Sequence, residues 1–461
     1  MAFTGIEALS PAASRGMLSR MRRRVEVLLA SEHFTTQRVA GTAFAIRIAS
    51  AGIVFVSQIL LARWMGSYQF GSYVYVWTWL LMAGDIVHLG MPLAAQRFIP
   101  EYTETKSFDL LRGYLSGSRW LSFAAGAVFA LLGAIVVYAL DDRFDSELFI
   151  PFYFACLALP AYILTFMADG TARSYNWINL ALMPAYIVRP VLLVVGIAAL
   201  HFSGFELNAA TVLGALAAAA WLSVALQLFQ LARHLRSVVP PGPKRYAVRR
   251  WLITALPMIL VWGLYTLLTS TDILVLKHYR PAYEVAHYFA AAKLLALTSM
   301  IYFAVAASAA HRFTTYQVAG DRAGLAAFAA STVRWIFWLS LALTLLILAA
   351  GWPLLMLFGP EYVAAQPVMM ILAVGLLARA SVGPAERLLT MLGHQRICAW
   401  AYVAAFAFNF GACILLVPSY GTIGAAIATA GGFIVESISL FIITKRSLGL
   451  HMFIWRPGAV R

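Results

Sequence analysis

The sequence predicts an all-α polytopic membrane protein with about twelve transmembrane helices arranged as two six-helix repeats. Three observations carry that expectation: an apolar composition, the recurrence of long apolar runs, and a self-similarity at a fixed offset. The 461 residues are 62% hydrophobic and only 11% charged, with mean hydropathy +0.81. Ordinary soluble domains carry about 25% charged residues.

Runs of roughly 20 apolar residues suffice to cross about 30 Å of hydrocarbon at 1.5 Å per residue. They fall near 39 to 61, 71 to 95, 117 to 140, 148 to 168, 177 to 200, 207 to 231, 252 to 276, 284 to 310, 333 to 357, 364 to 390, 397 to 417 and 421 to 444. Backbone groups in lipid must be satisfied internally, and these runs are too long and too uniformly apolar for the alternating strands of a barrel, so they are predicted as helices. The offset is 215 residues. AAQRF at 94 to 98 returns as AAHRF at 309 to 313; Tyr73 pairs with Tyr288, Leu80 with Leu295, Ile86 with Ile301, Leu110 with Leu325, Ser116 with Ser331, and Arg119 Trp120 with Arg334 Trp335. A fixed long period without gaps marks a duplicated unit.

The net charge of +15 follows the membrane rather than a nucleic acid. With the amino terminus in the cytoplasm, inside segments hold 26 of the 34 basic residues, and outside loops hold four, Arg63, Arg143, Lys277 and Arg280. By the positive-inside rule both termini are expected in the cytoplasm. Six helices is an even number, so the second half enters the bilayer in the same sense as the first and the repeats are parallel, related by an axis along the membrane normal. The expected organisation is a basic amphipathic segment at 1–37, a first lobe at 38–232, a cytoplasmic Pro- and Arg-rich linker at 233–250, a second lobe at 251–445 and a cytoplasmic tail at 446–461. The stretch 17 to 34 contains Glu26 within a short apolar run, which suits a helix lying on an anionic leaflet better than a cleaved signal.

The chain has no GxxxxGK[ST] loop and therefore no built-in ATPase. Cys156, Cys398 and Cys413 lie in apolar runs without CxxC spacing, so no zinc site or disulfide framework is expected. The acidic cluster DDRFD, 141 to 145, sits in a very short loop beside Arg143 and reads as solvated. No cofactor and no catalytic constellation is expected, and a loop-poor duplicated bundle reads as a transporter rather than an enzyme.

Three stretches carry a family resemblance: ILLARWMGSYQFGSYVYV at 59 to 76, GMPLAAQRFIPEY at 90 to 102, and NFGACILLVPSYGTIGAAIATA at 409 to 430. They resemble the polysaccharide flippase branch of the multidrug/oligosaccharidyl-lipid/polysaccharide exporter superfamily, over essentially residues 38 to 445. The resemblance implies two lobes facing each other around a central cavity in the bacterial inner membrane. It also implies movement of undecaprenyl-pyrophosphate-linked oligosaccharide from the cytoplasmic to the outer face by alternating access, for O-antigen, capsule or exopolysaccharide synthesis. The implied partners are the lipid-linked oligosaccharide, membrane lipids, and polysaccharide polymerase and chain-length proteins, with the chain acting as a monomer. Two alternatives stay open: a cation-coupled small-molecule exporter of the same superfamily, and a membrane-embedded glycan polymerase or ligase.

Ionisable residues inside apolar helices need a reason, because each opposes insertion by roughly 2.5 to 3.5 kcal/mol. Arg47, Arg189, Arg379 and Lys293 are the candidate cations for an anionic headgroup; three of the four are Arg, whose planar fork suits a pyrophosphate. Asp85, His88 and Glu386 are candidates for ion coupling. Asp85 and His88 are expected on one helix face at a spacing of three, and Glu386 two turns below Arg379. The competing expectation is that these residues, with Glu436, form ion pairs fixing helix packing. Asp272 is placed near Lys277, at the outer end of its span. Arg189 Pro190 and Gly383 Pro384 are expected bending points, since Pro removes a backbone donor. The charge asymmetry yields a first test: reporter fusions after residues 143, 203 and 280 report outside, and those after 106, 242 and 320 inside. A cytoplasmic signal at 203 with an external one at 242 overturns the two-lobe topology.

Overall fold

The computed structural model describes residues 32–139 and 146–455, and the long elements among them are all helices. Most of the basic segment at 1–37, the cluster at 141–145 and the end of the tail lie outside the described residues. Among the described residues, nine helical stretches are long and apolar enough to cross a membrane. Two of these double back. Helix α1, Glu32–Val87, turns at Gly66 with φ 75°, and the last helix, Gln395–Leu448, turns at Gly421 with φ 54°. At 56 and 54 residues both are far too long for one crossing, and a glycine adopts this left-handed geometry at little steric cost. The consecutive helices Val248–Leu268 and Thr271–Tyr279 together supply one further crossing, which brings the number to the twelve expected.

The first lobe continues with α2 (Met91–Glu104), α3 (Phe108–Ala139), α4 (Phe149–Ser174), α5 (Ile178–Met183) leading into a π-turn at Pro184–Val188, α6 (Arg189–Phe202) and α7 (Ala209–Val238). The second holds α8 (Val248–Leu268), α9 (Thr271–Tyr279), α10 (Ala282–Val318), α11 (Arg322–Ala349), α12 (Gly351–Met356), α13 (Gln366–Val382), α14 (Ala385–Met391) and α15, the Gln395–Leu448 hairpin. The duplication is structural. Trp120 and Trp335 are each 62% exposed, while Tyr73 with Tyr288 and Phe98 with Phe313 are buried in both lobes.

Several crossings are broken, and each break has a local cause. Helix α1 stops at Val87 and restarts at Met91 through Leu89 and Gly90, both at positive φ, with Pro92 at the new start. In α5, Pro184 has no N–H to give the Leu180 carbonyl; the Gln227 amide donates to it instead at 3.1 Å, and the Ser223 hydroxyl donates to the Pro184 carbonyl at 2.9 Å. Irregular backbone survives at membrane depth only with such replacements. The bend expected at Arg189 Pro190 therefore begins earlier, at Pro184, where these donors are available. At Gly383 the expected break occurs: α13 ends at Val382, Gly383 has φ 61°, and a Cβ there would lie 2.8 Å from the Val333 side chain.

The lobes are tied at both ends of the bundle. At one end the connection between α7 and α8 is docked along α3. The Arg112 guanidinium donates to the carbonyls of Pro243 (2.8 Å) and Pro240 (2.9 Å), the Arg245 amide donates to the Asp109 carbonyl (3.0 Å), and fully buried Trp251 donates to the Tyr102 hydroxyl (3.1 Å). At the other end, Arg63 donates to the Met356 and Leu357 carbonyls at 2.7 Å each, capping the end of α12. Beside it, Phe70 meets Phe289 and Tyr362 across the lobe boundary.

Gly113 is where the docked connection comes closest, since a Cβ there would lie 1.8 Å from the Arg245 carbonyl oxygen. Gly113→Val is therefore expected to undock the connection and expose Lys244 and Arg245 to trypsin. Cleavage between the lobes should accelerate about ten-fold in detergent-solubilised protein, and an unchanged rate overturns the docking.

Candidate functional site

The charged side chains held among the helices fall into three groups. In the first lobe, Arg47 of α1 is exposed and places its guanidinium 5.3 Å from the Tyr186 ring centroid. It stands within electrostatic reach of Asp169, which is bound by Arg173 one turn on in α4 at 2.8 Å. Arg189, at the end of the π-turn, lies 4.1 Å over Tyr162. The same short segment thus supplies Tyr186 to Arg47 and Arg189 to Tyr162. Neither Arg47 nor Arg189 forms a salt bridge among the described residues; both rest on aromatic faces, which attract a guanidinium without neutralising it.

From Arg189 an aromatic row runs toward the other lobe. Tyr73 lies within electrostatic reach of both Arg189 and Tyr162, and its ring stacks on Trp77 at 5.9 Å. Lys293 of α10 sits 5.4 Å from Trp77 and 5.1 Å from Phe289. Arg189 and Lys293, one from each lobe, therefore stand at opposite ends of one row of rings.

Arg379 is in a different state. Its Nε is 3.3 Å from Glu436 Oε1, a charge contact without hydrogen-bond alignment, and its Nη1 donates to the Tyr265 hydroxyl at 3.3 Å. Tyr265 and Tyr302 each lie 5.1 Å from the guanidinium carbon. The two charged side chains are 10% and 1% exposed. Glu386, in the first turn of α14, bears electrostatically on Glu436, Tyr302 and Tyr402. Arg379 is thus the counter-ion of buried Glu436 beneath the Gly383 break, with half-buried Glu386 in electrostatic reach.

Asp85 and His88 do not form the expected pair. The spacing rule presumes a continuous helix, and α1 ends at Val87. Asp85 instead accepts from Thr266 of α8 across the lobe boundary at 3.1 Å. His88 Nδ1 accepts the Gly90 amide at 3.0 Å, and the His88 carbonyl accepts from Ser122 at 3.3 Å, so this buried histidine closes the turn.

A third group was not singled out from the sequence. Asp272, in the first turn of α9, is 4% exposed and inside the second lobe rather than at its margin. One oxygen accepts from the Tyr288 hydroxyl and from Thr429 at 2.9 Å; the other accepts the Ile273 amide at 2.8 Å. The Tyr288 and Thr429 hydroxyl oxygens lie 3.2 Å apart, Thr429 accepts from the Asn409 amide at 3.4 Å, and the Asn409 amide oxygen is buried without a partner. No basic side chain among the described residues pairs with Asp272. A carboxylate surrounded by hydroxyl and amide oxygens at this depth can take up a proton or a small hard cation. The available signal was Asn409, Cys413 and Thr429 standing in register within the 409 to 430 motif.

A family model described as polysaccharide biosynthesis protein matches residues 40–311. No curated protein sequence matches the chain. Among solved structures, the chain is similar to an inward-facing multidrug resistance MATE family transporter of the MOP superfamily, with 13% identity over 88% of this chain and 98% of that one and a TM-score of 0.74. It is similar to the lipid II flippase MurJ in an inward closed conformation, with 15% identity over 87% of each chain and a TM-score of 0.68. It is also similar to a MOP superfamily transporter from Pyrococcus furiosus whose binding pocket is described as reversed in polarity, with 14% identity over 89% and 95% and a TM-score of 0.63. At these identities the likeness is one of fold.

The Arg379–Glu436 contact generates a direct test. Removing one member of a buried pair leaves an uncompensated charge, a loss of about 3–5 kcal/mol, whereas replacing both by apolar residues is often neutral. Glu436→Leu is expected to lower the thermal midpoint of the purified protein by several degrees, and Arg379→Met with Glu436→Leu to recover most of that loss. An unchanged midpoint in the single variant removes the pair from the account of stability.

Proposed function

We propose that this chain, which belongs to the polysaccharide biosynthesis protein family, is a flippase that carries a polyprenyl-pyrophosphate-linked oligosaccharide across the bacterial cytoplasmic membrane. The observation that carries this reading is the pair Arg189 and Lys293, contributed by opposite lobes to the two ends of the Tyr162, Tyr73 and Trp77 row. With Arg47 they form a set of cations resting on rings rather than bound in salt bridges. A pyrophosphate is the headgroup that such cations fit: guanidinium forks give it paired hydrogen bonds, and the ammonium acts as a point charge.

Transport follows from alternating access. When the lobes part at the Arg63 end, the α12 carbonyls lose their donor and the aromatic row opens; when they part at the other end, the headgroup reaches the same cations from the cytoplasm. The polyprenyl tail stays in lipid between the lobes. Arg379 is held by Glu436 and keeps the second lobe packed beneath its break instead of meeting the headgroup. Ion coupling is assigned to Asp272 with Thr429 and Asn409, in place of Asp85 and His88, because the Asp272 oxygens face hydroxyl and amide groups that can serve as ligands. Polymerase and chain-length proteins are the expected consumers of the translocated lipid, and the termini face the cytoplasm.

Export of a cationic small molecule is the second reading, favoured by the deeply buried, cation-free Asp272 and by the fold likeness to the MATE transporters. The two readings part on one experiment. Arg47→Ala combined with Arg189→Ala is expected to reduce surface polymer at least ten-fold, with normal protein level in the membrane and lipid-linked intermediate accumulating on the inner leaflet. Surface polymer equal to wild type together with lost resistance to a cationic drug selects the exporter. Asp272→Asn in reconstituted vesicles is expected to flip at a rate insensitive to an imposed sodium or proton gradient, and gradient dependence equal to wild type excludes Asp272 from coupling.

A further inference from the structure

A groove of about 560 Å³ on the flank of the first lobe has no part in the row of cations and rings. It lies between the α5 and π-turn segment and α7, with Thr42 of α1 at its edge. The π-turn creates it: a wider turn displaces the backbone from its regular path, and the Pro184 ring removes the donor that would have closed the turn.

Two gradients define what fits. One end carries Asn176, Asn179, Gln230 and His234; the other carries Met183, Val188 and Leu226; and among the described residues no Lys, Arg, Asp or Glu lines it. His234 and Ser223 lie eleven residues apart on α7, or about 16 Å at 1.5 Å per residue, so the groove is long enough for a headgroup and the first part of a chain. Gln227 lies between the two ends. It is fully buried, its Nε2 donates to the Leu180 carbonyl, and its Oε1 has no partner. Buried polar atoms are nearly always bonded, so an unmatched acceptor in the wall calls for a donor. A phosphate dianion brings none, and the described lining offers it no basic side chain. A sugar hydroxyl donates to an amide oxygen and accepts from an amide N–H, which is the chemistry of this polar end.

We propose that this groove is a binding site for a membrane lipid with an uncharged, hydroxyl-rich headgroup of the glycolipid class. The headgroup sits among Asn179, Gln227 and Gln230, and the chain lies against Met183, Val188 and Leu226. The site stands apart from the headgroup-binding cations and does not depend on the flippase assignment.

The test uses the full chain in nanodiscs of phosphatidylethanolamine containing equal small amounts of monoglucosyl-dioleoylglycerol, dioleoylphosphatidic acid and dioleoylglycerol. Lipids retained after release are counted by native mass spectrometry. The glucolipid is expected about five-fold enriched over the other two, which is the worth of roughly one net hydrogen bond. Asn179→Ala with Gln230→Ala, both exposed at the rim, is expected to bring it down to their level. Gln227→Leu should do the same, and because it also strips the Leu180 carbonyl of its donor, the rim pair keeps the test decisive if that variant fails to fold. Equal retention of the three lipids, enrichment of phosphatidic acid, or enrichment that survives the rim substitutions each overturns the site.

Discussion

In hydrocarbon every backbone N–H or C=O left without a partner costs several kcal/mol, and the architecture here depends on that constraint. Long helices satisfy it by default. The interest lies where they stop: at His88 to Gly90, Pro184 to Val188, Thr269 to Ser270 and Gly383 to Pro384. At the first, the His88 ring takes the Gly90 amide; at the second, Gln227 and Ser223 take over the Leu180 and Pro184 carbonyls. Side chains that look like candidate functional groups in the sequence are in several cases committed to this task. The breaks in turn place Asp85, Arg189, Asp272 and Glu386 at helix ends, where side chains from other helices reach them.

The same constraint explains the polar ties that flank the continuous apolar core shared by the two lobes. Arg63 and Arg112 both attach one part of the protein to another through carbonyl oxygens, not carboxylates. An arginine bonded to two carbonyls keeps its charge unneutralised, so the contact is strong in a dry junction and exchangeable once water enters. Such contacts suit boundaries that open and close. A buried ion pair such as Arg379 with Glu436 suits one that does not, because separating it exposes two charges to a medium of low dielectric.

Much of this was legible in the sequence, and the reasons are specific. The offset of 215 residues could be read because repeated positions keep the same surroundings, as Trp120 and Trp335 do at equal exposure. The crossings could be counted because length and hydropathy are what a bilayer selects. The interrupted helices were only half visible. Gly383 Pro384 announced its break, and Gly90 with Pro92 carried the same signal near His88, but the spacing rule applied to Asp85 and His88 presumed an intact helix. Asp272 was hidden for a different reason: sequence proximity suggested Lys277, whereas Tyr288, Thr429 and Asn409 become its neighbours only through tertiary packing of α9, α10 and α15.

Charge is divided unevenly between the lobes, and the division has a mechanical consequence. In the first lobe Arg47 and Arg189 lean on rings with their charge uncompensated by a salt bridge among the described residues; in the second, Arg379 is neutralised, Lys293 rests on rings at the lobe boundary, and the acidic Asp272 is held by hydroxyl and amide groups. On the proposed function, the anionic headgroup meets Arg47, Arg189 and Lys293 at the lobe boundary and the coupling cation meets Asp272 within the second lobe, so the two use different charges. Binding in one lobe can influence the other through what joins them, which includes the shared apolar core, the ring row with Lys293, the Asp85 to Thr266 bond, the Trp251 to Tyr102 bond and the arginine ties. Coupling in this protein is therefore expected to reside in whether the lobes can part, since an ion that changed only the local field at Asp272 would leave the cations around the π-turn unaffected.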